Sequence, residues 1–341
     1  MKKITYQLLH GMAYAISIFP FGMLYLLADI FFILVYYIVG YRRKVVKKNL
    51  KLAFPDKSEK ELNAIEKQFF HWFCDYIVET IKLLSISNED LLKHIEFRGV
   101  EELEKCYDKG QNCAAILGHY CNWEWLSASA LAFKRHPNAV AGLIYHPLYN
   151  DAFNQLFIDI RSAHGGVCVP KKDILRYLVN YKREDRRSLF GYIADQAPWW
   201  TNIHLWVDFM HQETPVFTGG ERIMRKMNDA VFYVDMERPK RGKYICTFRL
   251  LYSDAEKTEE FEITKKFFQM LETSICRQPA FYLWSHDRWK RTREEFNRRL
   301  MVVNGRVVWN EEAERAYQEE LKLKKKKKGN IFQKLWKKQE S

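Results

Sequence analysis

The sequence predicts an α/β fold, with a mostly parallel sheet flanked by helices and an apolar helical membrane anchor at the N-terminus. Three observations carry this expectation. From about residue 92 onward, short apolar runs alternate with helical stretches. Between Ile4 and Tyr41 the only formally charged side chain is Asp29. At 341 residues and 48% hydrophobic content, the chain is long enough to bury a sizeable core. The expected organisation is an anchor over residues 1–41, an α/β domain over 42–310 and a basic tail over 311–341.

Pro20 and Gly22 divide the anchor into two apolar stretches. The second, Gly22 to Gly40, approaches the ~20 residues that cross a bilayer. Asp29 near its middle would cost roughly 2.5–3.5 kcal/mol in a lipid-exposed helix, which argues against a plain span. Lys2-Lys3 precede the region, and Arg42, Arg43, Lys44, Lys47 and Lys48 follow it. Positive flanks on both sides suit a hairpin or a pair of interfacial helices with both ends in the cytoplasm. Ala13-Tyr14-Ala15 looks like a cleavage site, but the apolar run before it is short for a signal peptide, so the segment is expected to be retained. The alternative is a buried core helix of a soluble protein.

Next in order, Ser58-Glu59-Lys60-Glu61 is a capping-box pattern. It opens a helix whose apolar positions Ile65, Phe69, Phe73, Ile77, Ile81 and Leu84 form one stripe. Strands are expected at His94–Phe97, Cys113–Leu117, Ala139–Tyr145, Gly166–Val169, Leu189–Ala194, Ala230–Met236 and Tyr244–Leu251, with a late helix over Glu259–Cys276. In such sheets ligands sit beyond the carboxyl ends of strands, where both His119 and Asp195 fall. Past residue 320, Lys324 through Lys328 adjoin Ile331, Phe332, Leu335 and Trp336, a pattern that suits either a solvated tail or an amphipathic segment on an anionic leaflet.

Composition narrows the compartment and the partners. Seven cysteines form no Cys-x-x-Cys pair, which disfavours a disulfide framework or a zinc site and points to a reducing compartment. The net charge of +13 is compatible with nucleic acid, an anionic membrane or an acidic protein. No finger, zipper or RNA-recognition pattern is present, so no nucleic-acid partner is expected, and the anchor favours the membrane. Aromatic residues make up 15% of the chain, which fits a lipid-facing surface or a large aromatic core.

The chemistry-bearing stretch is Gly118-His119-Tyr120-Cys121-Asn122-Trp123-Glu124, directly after the apolar run ending at Leu117. A buried strand ends at a glycine and presents a histidine, and Asn122 is placed to cap a helix opened by Trp123. On one helix His119 and Glu124 would lie roughly 140° apart. A strand-turn-helix junction can instead bring them together, and a histidine oriented by a carboxylate is a general base. A satisfied histidine beside an ordinary first-turn glutamate is the plainer alternative. Serine elbows, nucleotide loops and His-Glu-x-x-His are absent from the sequence. A Cys121 nucleophile is disfavoured because neighbours in a tight turn point apart.

Gly-His-x-x-Asn-Trp-Glu resembles the His-x4-Asp/Glu signature of the lipid A secondary acyltransferases. Further landmarks follow in that family's order: Arg42 to Leu50, Phe54-Pro55, Arg161 before Gly165-Gly166, Ala194-Asp195-Gln196, and Pro279 to Trp284 followed by Arg288-Trp289. The resemblance implies a glycerolipid-acyltransferase-like fold at the inner (cytoplasmic) membrane, with the catalytic domain facing the cytoplasm. It implies transfer of a fatty acyl chain from an acyl carrier protein thioester to a hydroxyl of a lipid A precursor or another glycolipid. No metal or other cofactor is needed for that chemistry. His119 and Glu124 are then the general-base pair, and Arg161 is the first candidate for stabilising the oxyanion, backbone N–H groups near Asn122 being the second. A surface ion pair with Asp159 is the alternative role for Arg161. Asn122, Trp123, Asp195, Gln196 and Arg288 are expected to shape the site and contact substrate, although Arg288, like Trp284 and Trp289, reads first as packing. Two departures from the family pattern stand out. Cys121 occupies a usual glycine position, and Val207-Asp208-Phe209-Met210-His211 replaces a more apolar Phe-Phe-Gly pattern.

Overall fold

The computed structural model describes residues 2–319, so most of the expected basic tail, from residue 320 on, lies outside the described residues. The chain opens with α1 (Lys2–Ser17), α2 (Phe21–Ile33), α3 (Arg43–Ala53), α4 (Glu59–Lys82) and α5 (Asn88–His94). The α/β part follows as β1 (Ile95–Arg98), α6 (Val100–Asp108), β2 (Cys113–Leu117), β3 (Val140–Tyr145), α7 (Asp151–Ser162), β4 (Val167–Pro170), α8 (Ile174–Arg183) and β5 (Ser188–Ile193). Next come β6 (Leu205–Phe209), β7 (Gln212–Val216), α9 (Gly219–Met227), β8 (Ala230–Lys240), β9 (Lys243–Tyr252) and α10 (Glu262–Arg277). The last are α11 (Arg293–Arg299), β10 (Leu300–Val303) and β11 (Arg306–Trp309).

The α/β expectation holds. Seven strands form one sheet in the order β1-β9-β8-β2-β5-β3-β4. The five from β8 to β4 are mutually parallel; β9 is antiparallel to β8, and β1 runs with β9. Each of the seven strands expected from apolar runs is in it, with ends shifted by a few residues. β2 is central, and all five of its residues are buried, which is why its sequence is a continuous apolar run. Two hairpins, β6–β7 and β10–β11, stand outside the sheet and were not expected.

The capping box forms as the sequence predicts. Ser58 Oγ accepts the Glu61 N–H, and the Glu61 carboxylate accepts the Ser58 N–H. The 24-residue α4 that it starts is the spine of the N-terminal half, with α1, α2 and α3 packed on it. Among the described residues one helix, Phe21–Val39, is by length and composition apolar enough to cross a membrane, with mean hydropathy 2.1 over its best 18 residues. Its last turn, Leu34–Val39, is π-helical and ends at Gly40, whose φ of +64° is left-handed. One side of this pair of helices docks on α4 and α7, while Leu8, Met12, Leu26, Ile30 and Ile38 leave an exposed apolar side.

Asp29 turns toward the protein. Its carboxylate meets the Arg241 guanidinium at 2.5 Å and His71 Nε2 at 3.0 Å, so its charge is compensated within the fold. Arg241 also holds Asp75 Oδ1 at 2.6 Å, bridging the two carboxylates. Beside it Tyr25 fits into the turn between β8 and β9. A Cβ on Gly242 would lie 2.1 Å from the Tyr25 hydroxyl oxygen, and Gly242 itself has φ +72°. Gly242→Ala therefore brings both a left-handed-backbone penalty of about 1–2 kcal/mol and eviction of Tyr25. Thermal unfolding of the detergent-purified variant is expected to show a loss of at least that size.

Candidate active site

The site is built at the carboxyl edge of two adjacent parallel strands. β2 ends at Leu117 and β5 at Ile193, and the Ala194 N–H donates to the Leu117 carbonyl at 3.0 Å, carrying the pairing one step further. The next residues on each side are therefore neighbours. Gly118 lets the chain pass close to α10, since a Cβ there would lie 2.8 Å from Leu271 Cδ1. Past it, a strip formed by residues 281–286 clasps the histidine turn. The Leu283 N–H donates to the His119 carbonyl at 3.1 Å, and the Cys121 N–H donates to the Phe281 carbonyl at 2.8 Å. On its other side the strip is tied to α3. The Asn49 amide donates to the carbonyls of Trp284 and His286 at 2.8 and 2.7 Å, and Arg42 donates to the Ser285 carbonyl at 2.8 Å.

His119 Nδ1 lies 2.7 Å from Asp195 Oδ1. Burial by itself would raise the Asp195 carboxyl, but the charge and hydrogen bonds of His119, helped by the Arg288 guanidinium, hold it down at about 2. An ionised Asp195 accepts the Nδ1–H, which leaves the lone pair on Nε2; Gln196 Nε2 sits 3.2 Å from that nitrogen and donates to it. The Trp123 ring stands edge-on to the imidazole, with centroids 5.0 Å apart.

Glu124 goes elsewhere. Its two oxygens take Arg161 Nη2 and Nε at 2.7 Å each, a bidentate pair, and the Tyr76 hydroxyl lies 3.4 Å away. Glu124 makes no hydrogen bond to His119 among the described residues. It sits almost fully buried in the first turn of the Trp123–Ala132 helix, where its charge needs a cation, and α7 brings Arg161. Asp159, the other partner considered for Arg161, accepts instead from Tyr6 and Gln155. Asn122 does not cap the following helix, which is 3-10 rather than α. Its amide is drawn to the buried Glu79 carboxylate, donating at 2.9 Å.

Arg288 lies wholly buried. Its Nη2 donates to the Pro215 carbonyl at 3.0 Å, while Nε and Nη1 have no hydrogen-bond partner among the described residues. Trp289 Nε1 reaches Thr214 Oγ1 at 2.8 Å, so this pair ties the strip to β7. Cys121 is fully buried, and burial pushes its thiol well above the ordinary range, which removes it as a nucleophile. Its φ is +51°, and Met210 and His211, the two turn residues between β6 and β7, have φ +53° and +62°. Both departures from the glycine pattern thus fall on left-handed backbone, where glycine is unstrained.

Sequence reasoning passed over His286, which lies between the landmarks Pro279–Trp284 and Arg288-Trp289, and took Tyr282 only as part of the first of them. The signal was a histidine two residues before Arg288 and a tyrosine six before it. No further signal linked them to His119, since the link is the strip's pairing with the histidine turn.

The family model for bacterial lipid A biosynthesis acyltransferase matches residues 2–291, including every element described in this site. No curated protein matches the chain.

Two outcomes follow for stability. Glu124→Gln leaves Arg161 without its countercharge in a mostly buried place, and the expected loss is about 3 kcal/mol by denaturant unfolding. The Asp195 carboxyl is depressed in the folded state, so its contribution is complete above the unfolded value of about 3.9. It is lost as pH falls from there toward about 2. An acid titration of unfolding should lose that component in Asp195→Asn.

Proposed function

The chain belongs to the bacterial lipid A biosynthesis acyltransferase family and is an acyltransferase; from that premise we propose that it moves a fatty acyl group from an acyl carrier protein thioester to a hydroxyl of a lipid A precursor, with His119 as general base. The observation that carries this is the 2.7 Å contact of His119 Nδ1 with Asp195, which leaves Nε2 as the basic nitrogen. In the reaction an acceptor hydroxyl displaces the Gln196 amide from Nε2. Its proton passes to Nε2 as its oxygen attacks the thioester carbonyl. The tetrahedral intermediate collapses, the C–S bond breaks, and the departing thiolate takes the proton from the imidazolium. Asp195 holds the tautomer and stabilises the cation. The Glu124–Arg161 pair is a positioning element for the turn on which His119 stands, and Trp123 packs the imidazole from the side.

Pairs of basic residues in the α/β part fall at different edges of the sheet. Lys182-Arg183 and Arg186-Arg187 precede β5 and so lie at the sheet edge opposite His119. Lys171-Lys172 follow β4 at the same edge as His119 and are exposed, which supports them as the contact for an acidic acyl carrier protein. The exposed apolar side of α1 and α2, flanked by lysines and arginines, supports docking on the inner membrane from the cytoplasm. A second acceptor class, an aminolipid, glycolipid or lysophospholipid, is favoured by one observation: Val207–His211 departs from the family pattern and forms the β6–β7 hairpin next to α10.

The test is acyl transfer by the purified full chain, read by mass spectrometry, with acyl carrier protein thioesters and a lipid A precursor. His119→Ala and Asp195→Asn are each expected to cut kcat roughly 10³–10⁴-fold. Lys171→Glu with Lys172→Glu should raise KM for the donor and flatten its salt dependence. Transfer only to a lipid extract changes the acceptor. No transfer to either, with vesicle binding intact, leaves a lipid-binding protein of the same fold.

A further inference from the structure

Three consecutive residues beyond β5 each meet a histidine. Asp195 accepts from His119 Nδ1, the Gln196 amide donates to His119 Nε2, and the Ala197 N–H donates to Nε2 of a second histidine, His286, at 3.3 Å. A backbone N–H only donates, so Nε2 of His286 carries the lone pair and its proton is on Nδ1. The same short segment therefore sets the two rings in opposite senses. His119 offers a lone pair, whereas His286 offers an N–H.

His286 is fixed at both ends of its peptide unit. Its N–H donates to the Leu283 carbonyl at 3.1 Å, and its carbonyl accepts from Asn49 at 2.7 Å. Leu283 is the residue whose N–H meets the His119 carbonyl, so one turn of chain separates that pairing from His286. Nδ1 of His286 has no hydrogen-bond partner among the described residues. Burial, with the positive charges of Arg288 and Lys290, outweighs the pull of Asp195 and holds the imidazole down at about 4. At neutral pH it is an uncharged donor that adds no positive charge beside the base, as suits a neutral imidazole polarising a carbonyl.

The acyl transfer proposed above develops negative charge on the thioester oxygen and needs a donor for it. Arg161 is the family-implied candidate, but the bidentate Glu124 pair offsets its charge and leaves only Nη1 and one Nη2 N–H uncommitted. We propose that His286 is that donor, its Nδ1–H pairing with the acyl carbonyl oxygen while His119 Nε2 takes the hydroxyl proton. This rests on His119 acting as the base.

The experiment compares kcat and KM of the full-length wild type with His286→Ala, His286→Asn and His286→Gln, using one acyl carrier protein thioester and one acceptor that the wild type acylates. An Asn amide N–H reaches the place of Nδ1, whereas a Gln amide oxygen reaches the place of Nε2 and keeps the Ala197 contact. His286→Ala is expected to lower kcat about 10²–10³-fold with KM changed less than about threefold. His286→Asn should recover about tenfold or more of that loss, and His286→Gln should stay near the Ala value. The proposal is overturned if His286→Ala keeps kcat within about threefold of wild type, or if Gln restores the rate and Asn does not. The second result assigns His286 to holding the loop at Ala197. His119→Ala run alongside separates the two ideas: activity surviving there fails the base, whereas the His286 series with an inactive His119→Ala tests the donor alone.

Discussion

The carboxylate of Glu79, buried in the last turn of α4, is the constraint around which the other elements converge. Burial pushes its carboxyl up, and a charge so placed costs several kcal/mol unless donors surround it. The donors come from three separate parts of the chain: the Tyr25 hydroxyl on α2 at 3.0 Å, the Asn122 amide of the histidine turn at 2.9 Å, and the Tyr244 hydroxyl on β9 at 2.7 Å. The Glu79 carbonyl also accepts Trp125 Nε1 at 3.1 Å. One helical turn earlier, Asp75 takes Arg238 at 2.6 Å and Arg241 from the neighbouring β8–β9 turn. An acidic face on one helix therefore registers the apolar N-terminal helices, the sheet and the turn that carries His119 against one another.

The site inherits its precision from this arrangement and from the sheet. Parallel neighbours β2 and β5 end side by side, so the residues after them meet without a long loop. The strip at residues 281–286 then closes over the turn, and α3 holds the strip. His119 is thereby fixed by backbone pairing on one side and by a buried carboxylate on the other. Neither constraint needs a bound ligand.

Much of the sheet was legible because strands buried on both faces read as apolar runs, as Cys113–Leu117 does. The β6–β7 hairpin was not. Leu205–Phe209 is half-exposed and carries Asp208, and its turn is Met210-His211 rather than the Asn-Gly type that marks such hairpins in sequence. Placing His119 and Asp195 at strand ends followed from pattern, but their contact joins residues 76 apart, which no local spacing encodes. Glu124 illustrates the converse. Its position five residues from His119 suggested a pair, while the cation that neutralises it comes from 37 residues further on. Asp29 looked too costly for an apolar helix because Arg241 is invisible from the local sequence.

That last pairing has a bearing on how the protein is made. Asp29 and Arg241 are separated by 212 residues. At about 5–20 residues per second, a ribosome needs roughly 10–40 s to supply the arginine after the aspartate has emerged. Until then the nascent apolar helix has only His71 of α4 to meet its carboxylate, and an interfacial position or a protonated side chain suits it better than commitment to the bilayer centre. Final seating of the helix waits for the β8–β9 turn, which makes maturation of the N-terminus one of the last events of biogenesis.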